Sequence, residues 1–246
     1  VFNQQIIKNY KEMNTLSRAL VTQIANQLDA QSEANPLENL RLIAEQFAGK
    51  AIFLSNFTLE DQLITHWIAT HNLPIKIVVS NPNYPFKEIY ATWAKTQERY
   101  QVPITVYAAD GKVLENQPQE SSVTTLSVEE NLQPILQGEM LLITGTRAGQ
   151  TWQGRQLTAD FSWNKSLKIF EFHPLFHRSF HKVFMEVLRE GVPFNPLHNQ
   201  GYLRVGHTQD TETAHSSEFW AGRWWWEHAQ RIFIHPYTPG VRKQAV

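Results

Sequence analysis

The chain has 246 residues, 42% of them hydrophobic, and a formal net charge of -1 from 22 basic and 23 acidic side chains. That is enough apolar material for one sizeable domain, and the even charge balance excludes a general polyanion-coating protein. The residues include no cysteine, which excludes disulfides, thiolate nucleophiles, cysteine zinc sites and thiolate-held iron–sulfur clusters built from them. No apolar run approaches the roughly 18 to 20 residues of a membrane span. The opening "VFNQQIIKNYKEMN" lacks the basic-then-apolar order of a signal peptide. A cytoplasmic protein with no membrane and no nucleic-acid partner is therefore expected.

In chain order, Ile6, Ile7, Tyr10, Met13, Leu16, Leu20, Ile24 and Leu28 recur at helical spacing and predict a helix over 3–30. The polar stretch 29–36 is a linker, and Pro36 suits the first turn of a second helix ending near Gly49. "AIFLS" at 51–55, "IKIVVS" at 75–80, "ITVYA" at 104–108 and "MLLITG" at 140–145 read as buried strands. Between them, 59–71, 84–100 and "VEENLQPIL" near 128–136 return to helical spacing. Apolar strands alternating with amphipathic helices predict a Rossmann-like α/β fold, with a mostly parallel sheet and helices on both faces. "SLKIFEF" at 166–172 reads as an edge strand, 179–191 as a helix ended by Gly191, and the tail from Val192 as irregular. The expected organisation is an N-terminal helix and linker (1–35), a nucleotide-binding domain (36–191) and a C-terminal lid (192–246).

Ligands of open parallel sheets bind beyond the carboxyl ends of the strands, near a switch in strand order. The turn after the first strand, "SNFTLED", precedes a helix N-terminus whose free N–H groups suit phosphate or sulfate. The same residues suit a plain helix cap, with Ser55 or Thr58 as N-cap and Glu60 or Asp61 in the first turn. The turn after the fourth strand, "GTRAGQTWQGRQ", carries Arg147, Gln150 and Arg155, either an oxyanion clamp or a solvated loop. His173, His177 and His181 are spaced by four. Pro174 places His173 at a strand end, so the three do not align as a metal site.

Four segments together resemble one family. "GTRAGQTWQGRQL" is similar to the Gly-x-Arg-Arg-x-Gln-Ser…Arg signature of phosphoadenosine phosphosulfate (PAPS) and adenosine phosphosulfate (APS) reductases. "GVPFNPLHNQGYLRVG" at 191–206 resembles their Gly-Val-Pro-Tyr-Asn-Pro-Leu…Gln-Gly-Tyr…Gly segment almost position by position. "AGRWWWE" matches a tail of APS-type members, and "SNFTLEDQ" their Ser-Ser-Phe-Gly-x-Glu-Asp loop. The resemblance spans about 37–237 and implies an adenine-nucleotide alpha-hydrolase-like fold with a sulfonucleotide over the carboxyl edge of the sheet. It implies that Ser55, Asn56 and Phe57 line the phosphate and sulfate end and that Arg147, Gln150 and Arg155 complete the anion pocket. Glu88 survives from a third motif, in which Asn81 replaces an acid; Ala148 stands for the second arginine. Trp224, Trp225 and Trp226 would cover the mouth of the cleft, with Arg223 facing the anion and His235 matching a motif histidine.

The resemblance also locates what this chain lacks. Where APS-type relatives have Cys-x-x-Cys, it reads Gly206-His207-Thr208-Gln209-Asp210, and 109–127 carries no Cys-Cys pair. Where relatives have Glu-Cys-Gly-x-His, with the cysteine attacking the sulfate sulfur, it reads "RIFIHP", with Phe233 near the nucleophile's place. The expectation is a protein that binds an adenine (sulfo)nucleotide without reductase chemistry and without an iron–sulfur cluster, a sensor or regulatory pseudoenzyme. Its partners would be a second copy through the N-terminal helix or an active paralogue. The alternatives are nucleotide hydrolysis or adenylyl transfer, or a ligand-free scaffold.

Overall fold

The computed structural model describes residues 24, 26–28, 35–80, 87–108, 110–114, 132–148, 150–152, 155–157, 159–200, 202–205 and 212–213. Ile24 and Leu28, one helical turn apart, are fully buried in the main core, which brings the described end of the expected first helix into that core; the rest of 3–30 lies outside the described residues. Helix α1 (Pro36–Gln46) starts at Asn35, whose side chain accepts the Glu38 N–H, with Pro36 in the first turn. Its buried stripe is Leu40, Ile43 and Ala44.

The strands are β1 (Ala51–Leu54), β2 (Lys76–Ser80), β3 (Ile104–Tyr107), β4 (Val113–Leu114) and β5 (Leu141–Ile143). They continue with β6 (Thr151–Trp152), β7 (Arg155–Gln156), β8 (Phe161–Asn164) and β9 (Ile169–Phe172), then β10 (Tyr202–Arg204) and β11 (Glu212–Thr213). Between them lie α2 (Leu59–Thr70), α3 (Lys87–Tyr100), α4 (Phe180–Arg189) and a short 3-10 helix (Pro196–Gln200). The main sheet has seven strands in the order β4-β3-β2-β1-β5-β9-β8. From β3 to β9 the pairs are parallel, and β4 and β8 close the two edges in antiparallel pairing.

Strand alternation divides the core. Ala51 and Phe53 join Leu141, Ile143, Phe170 and Phe172 on one face, against α1, α2 and α4. Ile77 and Val79 share that face, Val79 in a cluster with Val106, Ile89 and Trp93 of α3. Ile52, Leu54, Val78, Leu142 and Ile169 face the other way, onto Leu132, Ile135, Leu136 and Leu167. Each of these large side chains contributes about 1.5 to 3 kcal/mol by leaving water. Helix α2 is buried nearly all round, from Leu59 to Ile68. On its far side Gln62 Nε2 donates to Thr96 Oγ1 at 2.6 Å and to the Pro193 carbonyl at 2.7 Å, tying α2 to α3 and to the segment after α4.

Several sequence expectations change. In the stretch expected to be helical to 136, Leu132 is helical but residues 133–138 are turns; Pro134 cannot donate the next helical hydrogen bond. The strand near 166–172 is interior rather than an edge, and all four residues of β9 are buried. The true edge is β8, whose "FSWN" is short and mixes polar with apolar positions, so no periodicity marks it as a strand. The arginine-bearing loop contains the small β6–β7 hairpin, and the tail contains a 3-10 turn and the β10–β11 pair.

Candidate functional site

From β1 the chain steps outward to β2 and β3, then returns to place β5 on the other side of β1. The crevice of such a sheet opens beyond the carboxyl ends of the two strands where the order reverses. Here those ends carry Ser55 to Thr58 after β1 and Thr144 to Gln150 after β5. The segment after β9 joins them. The His173 ring Nδ1 lies 2.8 Å from Thr144 Oγ1, and the Ala148 N–H donates to the Phe176 carbonyl at 2.9 Å.

The loop after β1 is closed by its own side chains. Asn56 N–H donates to Asp61 Oδ2 at 2.8 Å, and Phe57 N–H to Ser55 Oγ at 3.3 Å. Thr58 is the N-cap of α2, accepting the Asp61 N–H at 3.2 Å. The Asn56, Phe57 and Asp61 amides are thus engaged within the loop, and the cap and the loop turn out to be one hydrogen-bonded unit. Phe57 holds a left-handed backbone, φ 57°, which a non-glycine residue adopts at a cost of about 1 to 2 kcal/mol. Its ring offsets this by stacking on Trp93 at 4.8 Å between centroids, fully buried.

Asp61 is buried, 3% exposed. Burial pushes its carboxyl from the ordinary 3.8 up to about 7, and the neighbouring Glu60 adds to that; donors from Asn56 and Thr58 pull the other way. The approach of β5 is equally tight: a methyl group added at Gly145 would collide with Asp61 Oδ1 and lie 3.0 Å from Glu60 Cβ. Glycine is needed there for space, not for backbone freedom.

Arg147 lies beside this unit. Its Nε donates to Glu60 Oε1 at 2.6 Å, and the two side chains are 14% and 9% exposed. The guanidinium carbon sits 5.8 Å from the centre of the Phe180 ring at the start of α4. Gln150 folds back so that its Oε1 accepts the Arg147 backbone N–H at 2.7 Å. The fold therefore brings Ser55, Asn56, Phe57, Arg147 and Gln150 to one corner. Arg155 begins the returning strand of the hairpin, its backbone paired with Trp152. Glu88 stands in the first turn of α3, beyond the carboxyl end of β2, and its carbonyl accepts the Thr92 hydroxyl. Arg223, His235, Asn81, His207, Asp210 and the three consecutive tryptophans lie outside the described residues.

Residues 50–213 match the family model described as the phosphoadenosine phosphosulfate reductase domain. The chain belongs to this family. It is 29% identical over 197 residues to the adenosine 5'-phosphosulfate reductase of Agrobacterium fabrum, covering 74% of this chain and 75% of that one. Identity to the Allochromatium vinosum adenosine 5'-phosphosulfate reductase is 26% over 212 residues, 80% of this chain and 82% of the relative. Among solved structures, the fold is similar to the phosphoadenylyl-sulfate (PAPS) reductase of Candida auris in its phosphate complex. There the TM-score is 0.59 at 19% identity, over 81% of this chain and 99% of that one. Candida glabrata FMN adenylyltransferase, solved with FMN and an ATP analogue, shares the fold with a TM-score of 0.51 at 14% identity, over 87% and 77% of the two chains. The architecture is thus the adenine-nucleotide alpha-hydrolase-like one expected from the sequence.

Within this PAPS reductase domain, Glu60, Asp61, Thr144, Gly145 and Phe180 are the site residues that sequence reading missed. The two acids had been visible only as first-turn helix residues, because nothing in local spacing reports that Glu60 reaches a residue 87 positions away. The histidines separate: His173 is fully buried at the end of β9, while His177 Nε2 is 3.7 Å from Asp160 Oδ2. Among the described residues no group of three or more histidines or acids is placed to hold a metal ion, and no helix is long and apolar enough to cross a membrane.

Proposed function

We propose that this member of the PAPS reductase family binds an adenylyl sulfonucleotide at the β1/β5 crevice and does not reduce it, serving as a sensor or as the regulatory partner of an active paralogue. The observation that carries the reading is Arg147, whose guanidinium meets Glu60 and Phe180 at the switch point and whose backbone N–H is accepted by Gln150. Arginine presents a planar fork that matches the geometry of phosphate and sulfate. Asn56, Glu88, Gln150, Arg155, Arg223 and His235 are the other positions proposed to face the nucleotide, while Ser55 and Phe57, buried with the Phe57 ring on Trp93, shape the loop beneath it.

The proposal that reduction is lost rests on chemistry. In the family reaction a thiolate attacks the sulfate sulfur, AMP leaves from APS or adenosine 3',5'-bisphosphate from PAPS, and a second thiol attacks the enzyme S-sulfonate, forming a disulfide and releasing sulfite. Both steps need a sulfur nucleophile. The 246 residues contain none from cysteine, and Phe233, near the nucleophile's place, has no lone pair to give. For the same reason no iron–sulfur cluster held by this chain's cysteines is proposed.

Two measurements test the reading. A ligand that binds only the folded state raises its stability, by about 2.7 kcal/mol at one hundred times its dissociation constant. A thermal-shift series with APS, PAPS, adenosine 3',5'-bisphosphate, AMP and ATP is therefore expected to rise with at least one sulfonucleotide. Incubation with thioredoxin and either sulfonucleotide is expected to release no sulfite. A flat thermal series removes the binding claim, and sulfite at ordinary turnover removes the claim of inactivity.

A further inference from the structure

The Arg147 guanidinium has five N–H donors. One, on Nε, is taken by Glu60 Oε1 at 2.6 Å. The four on Nη1 and Nη2 have no hydrogen-bond partner among the described residues, although the side chain is only 14% exposed. Neither nitrogen is among the described buried side-chain atoms left without a partner, so these donors reach the surface through the exposed part of the side chain and are available to a ligand. The residue is further held in place: its guanidinium carbon lies 5.8 Å from the centre of the Phe180 ring, and its backbone N–H is accepted by Gln150. Two backbone donors of the loop are already engaged, the Asn56 amide by Asp61 and the Phe57 amide by Ser55.

We infer that Glu60 is the positioning residue of the anion site: by holding Arg147 through Nε, it presents Nη1 and Nη2 together to a single sulfate or phosphate group. Recognition in this chain is thereby carried by a side-chain fork rather than by the Asn56 and Phe57 amides. A guanidinium gripped at Nε cannot turn that edge to the anion, so the bidentate face is the Nη pair. The inference rests on the reading that the ligand's anionic end lies at Arg147, but it concerns which residue aims the fork.

The test is a titration of the full chain with inorganic sulfate and, separately, with APS, followed by 15N NMR of the arginine side chains, with Arg147→Lys to assign the signals. In the unmodified protein sulfate is expected to shift the Arg147 Nη signals and leave Nε in place. In Glu60→Ala, Nε also responds and sulfate binding weakens roughly tenfold, the scale of one charge-assisted hydrogen bond. In Glu60→Gln the carbonyl still accepts from Nε, and affinity is expected to stay within about threefold. The inference is overturned if sulfate leaves the Arg147 signals unmoved or if Glu60→Ala binds sulfate as tightly as the unmodified chain. Should Glu60→Ala not fold, Glu60→Gln decides: unchanged affinity with Nε released would sink the idea, and retained Nε protection with retained affinity supports it. A sulfate response that depends on Glu60 with no APS binding leaves the inference standing and removes the nucleotide reading.

Discussion

Asp61 links the candidate site to folding stability, and Asp61→Asn exposes the link. The folded-state carboxyl titrates near 7 against an ordinary 3.8, chiefly because the group is buried. A raised value means that the folded state prefers the protonated acid. Stability from this group is fully present below about pH 3.8 and is lost as pH rises through 7. At about 1.4 kcal/mol per pH unit, the gap between 3.8 and about 7 corresponds to about 4 kcal/mol. Asparagine is neutral throughout and can still accept the Asn56 N–H, though it meets the Thr58 donors less well. The stability difference between Asp61→Asn and the unmodified chain is therefore expected to move in the variant's favour by about 2 to 4 kcal/mol between pH 4.5 and 8.5. Urea denaturation followed by tryptophan fluorescence at several pH values measures it. Titrating groups that do not interact with Asp61 cancel, since they are common to both proteins. A difference that stays constant across this range, or that moves against the variant as pH rises, refutes the reasoning.

Gly145→Ala forces a methyl group onto Asp61 and the Glu60 side chain, and a loss of about 1 to 3 kcal/mol in urea denaturation is expected. Phe57→Ala should cost about 3 to 5 kcal/mol, because it removes a buried ring stacked on Trp93. Phe57→Gly should cost less than Phe57→Ala by roughly 1 kcal/mol, since glycine accepts the left-handed backbone freely; alanine proving the milder change would contradict the strain account. Thr58→Ala removes the N-cap acceptor of α2, and a loss of about 1 kcal/mol is expected by the same assay.

The alternation of apolar runs with helical spacing was enough to place β1, β2, β3 and β5 and the helices α2 and α3, because strands at the centre of a covered parallel sheet are largely apolar. The family was legible too, since motifs such as "GVPFNPLHNQGY" and "GTRAGQ" are long and local. Only the tertiary structure put β9 inside the sheet rather than at its edge, since strand order depends on pairing between distant segments and a four-residue run looks the same in either position. Arg147 and Gln150 could be named as candidates from the turn that holds them, but the partners that give the site its character could not. Glu60 and Asp61 carry the ordinary signature of a first helical turn. What makes one a grip on Arg147 and the other a buried acceptor of the Asn56 amide with a raised pKa is the close approach of β5 at Gly145 and the exclusion of water around them. Packing distance and local dielectric are properties of the folded whole, and no window of sequence contains them.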